Sequence, residues 1–228
     1  MTRSHSGRNS DAEQPDAVGF VLAGGQSTRM GADKALVSFG GRPLIAYALE
    51  VLRQAGLSAS LAGARSPLAA YALVIEDSEP GLGPLTGICA ALASTSARRA
   101  VFLPVDWPLL PASLIVFLLD RARVTGAAVT VPSVNGFAQT FPAVVDRATL
   151  PVLRAELEAG RRGCFAAFQA AAADLSQSLQ VVAVEPLVQS GHAAHPDCLP
   201  PACWFLNVNS REDIARAEQH HEPSHRVS

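Results

Sequence analysis

The sequence predicts a single-domain α/β fold: a mostly parallel (mixed) Rossmann-like sheet with helices on both faces. Three observations predict it. Short continuous apolar runs alternate with amphipathic segments between residues 18 and 219, and strands buried on both faces require such runs. The polar, glycine-bearing motifs fall just after those runs, where open α/β sheets bind their ligands. The chain has 228 residues, 49% hydrophobic and 17% charged, with no break in composition that would separate two cores.

Taken in order, the first strand is expected at 18–23 and the first helix at 43–55, with Pro43 suited to its first turn. Strands follow at 59–62 and 72–75, then a helix at 85–93 and a strand at 100–104. Pro111 opens a helix at 111–121, and strands are expected at 127–131 and 140–145. Helices at 148–159 and 164–172 lead to a strand at 180–184. The strands near Thr140 and Gln180 interrupt the strict alternation, which points to an antiparallel strand in a mixed sheet. A last strand is expected at 204–207 and a last helix at 211–219, where Ser210 is an N-cap and Asp213 occupies the capping-box position. Residues 1–16 and 221–228 contain few apolar side chains and are expected as disordered tails around a folded domain at 17–220. Within that domain, Pro and Gly punctuate an extended loop at 185–203.

The formal net charge of -2 offers no broad basic surface, which speaks against nucleic acid as a partner. No apolar stretch is long and uninterrupted enough for a bilayer. The polar start of the chain is not a secretory signal, and Cys89, Cys164, Cys198 and Cys203 show no CxxC spacing, so reduced thiols in the cytoplasm are expected. His192, His195, Cys198 and Cys203 are zinc-type ligands in the 185–203 loop. Their spacing fits no standard zinc pattern, and a flexible Pro-rich loop is the commoner explanation.

The stretch "VLAGGQSTRMGADK" (21–34) follows the first strand. It is neither a P-loop nor a GxGxxG turn. Gly24 and Gly25 still allow a tight turn with unobstructed N–H groups, while Arg29 can grip phosphate as a fork and Lys34 as a point charge. The plainer alternative is a glycine turn with two solvated cations. In "FLPVDWPLLP", Asp106 stands at the end of a central strand; one carboxylate plus phosphate oxygens suffices for Mg2+, whereas a turn-capping aspartate is the structural alternative. Asp77 ends "LVIED", where it can accept hydrogen bonds from a ligand's N–H or hydroxyl groups, or cap the helix that follows. Asn207 and Asn209 in "NVNS" lie between strand and helix, where asparagine also serves ordinary turns.

In this order, "LAGGQSTRMGADKALVSFGGRPLI", "VIEDSEPGLGPLTGI", "FLPVDWPLLP", "AGRRGCF" and "FLNVNSREDI" resemble the motifs of the molybdenum cofactor guanylyltransferases, within the wider nucleotidyltransferase family. The resemblance spans roughly residues 18–218. It implies a sheet of the nucleotide-diphospho-sugar transferase type. It further implies attack by the terminal phosphate of molybdopterin on the α-phosphate of GTP, which releases pyrophosphate and forms the guanine dinucleotide. Under it Arg29, Lys34 and Asp106 are catalytic; Leu22, Ala23, Gly24, Gly25, Lys34, Asp77 and Asp106 bind nucleotide; and Asp106 holds Mg2+. Arg161, Arg162, Asn207 and Asn209 are its acceptor-binding candidates, and other cofactor-assembly proteins are candidate partners. Gly25 favours GTP, since cytidylyl relatives usually read "LAAG". Two departures stand out. The family asparagine after the second strand is replaced by the Ala62 and Ala64 stretch, and "AQTFPAVV" lacks a histidine found in some members. Alternatives are cytidylyl transfer, a sugar-phosphate acceptor, or a catalytically weakened nucleotide-binding module.

Overall fold

The computed structural model describes residues 15–23, 33–63, 66–77 and 82–221. Most of both expected tails, 1–14 and 222–228, lies outside the described residues. The chain begins with β1 (Ala17–Leu22), and then a 3-10 turn (Lys34–Leu36) leads into a ribbon of β2 (Ser38–Phe39) and β3 (Arg42–Pro43). Next come α1 (Leu44–Gln54), β4 (Ala59–Ala62), β5 (Val74–Ile75), α2 (Pro84–Ser94), β6 (Arg99–Pro104) and α3 (Ala112–Thr125). The second half contains β7 (Val129–Val134), β8 (Phe137–Ala138), β9 (Ala143–Asp146), α4 (Leu150–Glu158), α5 (Cys164–Asp174), β10 (Leu179–Ala183), α6 (Val184–Gln189), α7 (Pro201–Trp204) and α8 (Arg211–His221).

The main sheet has the order β10-β7-β9-β6-β1-β4-β5, with β8 paired to β7. β1 lies parallel between β4 and β6, and β5 continues parallel beyond β4. β9 runs antiparallel between β6 and β7, while β10 returns parallel to β7. The break in alternation read from the sequence is thus β9.

Successive side chains of β1 serve opposite cores, because a strand presents alternate residues to its two faces. Val21 joins Leu44, Ile45, Leu49 and Leu52 of α1 and Leu114 and Leu118 of α3 on one side. Phe20 and Leu22 join Leu85 and Ile88 of α2 and Phe168 of α5 on the other. Phe20 stacks on Phe102 of β6 at 5.6 Å between ring centres. Each fully buried side chain of this size stabilises by about 1.5–3 kcal/mol relative to exposure, which makes β1 and β6 the rigid centre from which the site extends. α1 turns its apolar stripe inward, with Leu44, Ile45, Ala48, Leu49 and Leu52 all buried at helical spacing.

Three expectations change. Residues 204–207 form no strand: Trp204 ends α7, whose Pro201 sits in its first turn, and the indole donates its N–H to the Leu199 carbonyl at 2.8 Å. The run "WFL" has the composition of a strand but its largest member is a single buried anchor, and short apolar runs do not distinguish the two. The 185–203 stretch is not wholly an extended loop, because α6 buries Val184 and Leu187 at helical spacing and α7 begins at Pro201. Asp16, assigned to the tail, is ion-paired to Arg99 and Arg123 at the base of β1. Among the described residues no helix is long and apolar enough to cross a membrane.

Candidate active site

The carboxyl ends of β1 and β6 lie side by side, with Leu22 opposite Pro104. The pairing extends one residue further, where Val105 N donates to the Leu22 carbonyl at 3.3 Å, and Asp106 then leaves the sheet. The Asp106 carbonyl accepts from Val208 N at 3.0 Å, so a segment a hundred residues later is pinned to it. That segment is fixed again at its far side. Asn209 N and Ser210 N both donate to Asp213 Oδ2, at 3.1 and 2.9 Å, and Asp213 N donates back to Ser210 Oγ at 3.1 Å. This is the reciprocal capping box expected from the sequence, and these bonds, the Asn209 amide first, hold the Asp213 carboxyl below the usual aspartate range.

Lys34 arrives from a third piece of chain. Asp33 caps its 3-10 turn by accepting from Ala35 N at 3.1 Å, and the Lys34 ammonium donates to Asp106 Oδ2 at 2.6 Å and to Asn209 Oδ1. Their side chains are 18% and 17% exposed for Lys34 and Asp106: sheltered enough to strengthen the charge pairing, yet open to a ligand. An ammonium has three donors and a carboxylate two oxygens. After these bonds Lys34 keeps one N–H and Asp106 keeps Oδ1, which accepts from no described residue.

Beside this cluster, the first turn of α2 closes against the end of β4. A Cβ on Gly87 would lie 3.3 Å from Gly63 N, so only glycine allows this approach without displacing backbone. The Thr86 hydroxyl reaches both Asp77 Oδ2 and the Gly83 carbonyl, the latter at 2.7 Å. One proton can serve only one of them at a time. Gly83 has no side chain to cap α2 and the first turn holds no acid of its own, so the carboxylate that faces this dipole end comes from Asp77.

The structure brings Lys34, Asp106 and Asn209 together. Leu22 contributes by position, with its side chain in the core and its carbonyl held by Val105. Ala23 is half-buried, with its N–H on the Ala62 carbonyl at 3.2 Å. Gly24, Gly25 and Arg29 lie outside the described residues. Asp77 accepts from the side chain of Thr86 in the first turn of α2. Asn207 is exposed and bonds to no described residue through its side chain. Arg161 is held by Glu156 through two bonds of 2.6 Å, whereas the neighbouring Arg162 is exposed and has no such partner among the described residues. Nothing links either arginine to Lys34. Ala62 is buried in the α2-side core, and Ala64 lies outside the described residues.

The zinc-type ligands go separate ways. His192 Nδ1 pairs with Ser190 Oγ at 2.7 Å, His195 Nδ1 accepts from Asp197 N at 3.1 Å, and Cys203 Sγ lies 4.0 Å from His220 Nε2. Among the described residues no three of His, Cys, Asp and Glu converge to hold a metal. All four cysteines are free, and burial pushes the Cys89 and Cys164 thiols up to about 11 and about 12, which removes both as nucleophiles near neutral pH. Sequence reasoning missed the joining of Lys34 to Asn209, for which no local spacing gives a signal.

Residues 19–185 match the family described as "MobA-like NTP transferase domain". A Rhizobium meliloti (strain 1021) protein named "Molybdenum cofactor guanylyltransferase" is 32% identical over 222 residues, covering 93% of this chain and 94% of that one. A protein of the same name from Xanthomonas euvesicatoria pv. vesicatoria is 45% identical over 107 residues, 46% of this chain and 55% of that relative's length. The crystal structure of "Molybdopterin-guanine dinucleotide biosynthesis protein A" from Archaeoglobus fulgidus shares the fold, with a TM-score of 0.70 and 21% identity over 88% of this chain and 96% of that one. The sheet is therefore of the nucleotide-diphospho-sugar transferase type, as the motifs implied. With the lysine, aspartate and asparagine gathered at the strand ends, the chain belongs to the family of MobA-like NTP transferase domains.

Proposed function

We propose that this chain transfers GMP from GTP to the terminal phosphate of molybdopterin, with Mg2+ as the metal. The observation that carries the reading is the Lys34 ammonium held between Asp106 and Asn209 at the ends of β1 and β6. In the reaction an acceptor phosphate oxygen bonds to the α-phosphorus of GTP. The bond from that phosphorus to the oxygen bridging to the β-phosphate breaks, and pyrophosphate leaves with the electron pair. Such a transfer depends on positioning and charge neutralisation. The third N–H of Lys34 is available to a phosphate oxygen while both existing bonds persist, so the cation is oriented before substrate arrives. Arg29 is the second cation of the sequence reading.

The residues present fit a divalent metal. Asp106 Oδ2 and Asn209 Oδ1 serve Lys34, while Asp106 Oδ1 accepts from no described residue and is a hard oxygen donor that suits such an ion, whose remaining oxygens would come from phosphate and water. Asp106 Oδ1 would hold the ion, which would supply neutralisation of the triphosphate when bound. Asp77, at the first turn of α2, supports a nucleotide beside this cluster. GTP in preference to CTP rests on Gly25, and the cytoplasmic setting rests on the four free thiols.

The test is incubation with Mg2+, each nucleoside triphosphate in turn, and molybdopterin, measuring pyrophosphate and dinucleotide. Release of both with GTP is expected. Faster turnover with CTP would reassign the base, and GTP binding without turnover would favour a binding module.

A further inference from the structure

We propose that Glu218, near the far end of α8, is a positioning residue for this site: through the Gly40 amide it keeps the segment bearing Lys34 in register with the helix that follows Asn209. The inference rests on the reading of Lys34 and Asn209 above. Gly40 N donates to Glu218 Oε1 at 3.0 Å across 178 residues of sequence. Gly40 and Gly41, with φ of 52° and 78°, form the tight turn between β2 and β3, and a conformation with two positive φ values is what a two-residue hairpin of this kind needs.

The ribbon is firm where it meets the core. Phe39 is fully buried and packs edge-on against Tyr47 at 5.2 Å, Tyr47 Oη donates to the Phe39 carbonyl at 3.0 Å, and the Arg42 guanidinium lies 4.9 Å over the same ring. On the facing helix Ala217 is fully buried, which leaves its neighbour Glu218 at the rim to reach the turn. Two ties then join the same two stretches of chain: Lys34 to Asn209 at one end, Gly40 to Glu218 at the other. A lysine side chain is long and rich in rotamers, so its ammonium stays placed only where its backbone is held. Because Asn209 sits on one partner and Lys34 on the other, sliding between ribbon and helix would draw the ammonium away from Asp106.

The test compares Glu218→Ala, Glu218→Asp and Glu218→Gln with the wild type in the full chain. Gln retains an acceptor oxygen at the same reach, whereas Asp retains the charge and is too short. Amide exchange is measured at Gly40 and over residues 34–39 in the free protein, and pyrophosphate release is measured with GTP, Mg2+ and molybdopterin. Ala and Asp are expected to raise exchange about tenfold at these amides. They should lower kcat about tenfold with KM for GTP changed less than about twofold, while Gln stays within about twofold of wild type in both. Unchanged exchange in Ala and Asp, or equal damage by Gln, would each overturn the proposal. Should the wild type release no pyrophosphate, the function reading fails, and the exchange comparison alone decides whether Glu218 holds the ribbon.

Discussion

At each end of β1 a carboxylate meets cations, and the two arrangements differ in what they leave unfilled. At the amino end Asp16 Oδ1 accepts from Arg99 Nη1 at 2.9 Å and Oδ2 accepts from Arg123 Nε at 2.8 Å. Arg99 is nearly buried, its backbone N–H donates to the Asp16 carbonyl at 3.0 Å, and Arg123 is further braced by Asp120 at 2.9 Å. Both carboxylate oxygens are taken, by guanidinium groups that stay charged. At the carboxyl end Asp106 shares a single ammonium with Asn209, and each ionic partner retains one uncommitted site. At Asp16 the donor left over, Arg99 Nε, is buried away from any ligand and both carboxylate oxygens are taken, so that cluster holds the chain together, while one with an accessible free donor and a free oxygen can also receive a charged ligand.

Substitutions at the two aspartates should therefore separate function from stability. Asp106→Asn removes the carboxylate charge with little change of shape. Turnover should fall by about 10²–10³-fold, the usual cost of losing one preorganised electrostatic group, while thermal unfolding stays close to wild type. A loss of folding in place of activity would place Asp106 with the structural ion pairs.

Asp16→Asn should do the opposite. It leaves the Arg99 guanidinium buried without its anion, a change worth about 1–3 kcal/mol, or a Tm lower by roughly 2–10 °C for a domain of this size. Turnover below the transition should be unaffected. The acid limb carries a finer test. The Arg123 hydrogen bond, with the charges of Arg99 and Arg98 adding to it, holds the Asp16 carboxyl below the usual aspartate range. Its contribution is complete above the unfolded-state pKa and is lost as pH falls through the lower folded-state value. Denaturant unfolding on acidification should therefore show wild type and Asp16→Asn converging, and a constant gap between them would contradict the pairing.

Legibility in the sequence follows the range of the interactions. β1 and β6 are readable because continuous apolar runs record burial on both faces, and the Ser210 and Asp213 box is readable because its partners are three residues apart. Asp106 could be placed at a strand end from one run and one proline. The contact of Lys34 with Asn209 joins residues 175 apart, and no local period encodes it. β2 and β3 are two residues each, too short for any periodicity, although the adjacent Gly40 and Gly41 are the mark of a tight hairpin. Trp204 shows the reverse failure: composition suggested a strand, and one large side chain inserted into the core as an anchor instead.

The central claim is nucleotidyl transfer at the Lys34 and Asp106 cluster, and the direct measurement follows isotopic phosphorus. The protein is given Mg2+ and molybdopterin with GTP labelled at the α-phosphorus, and in a parallel reaction with GTP labelled at the γ-phosphorus. The account predicts the α label in the acceptor product and the γ label in released pyrophosphate. Appearance of the γ label in the acceptor would contradict it, as would an α label that remains in GTP while the protein binds that nucleotide.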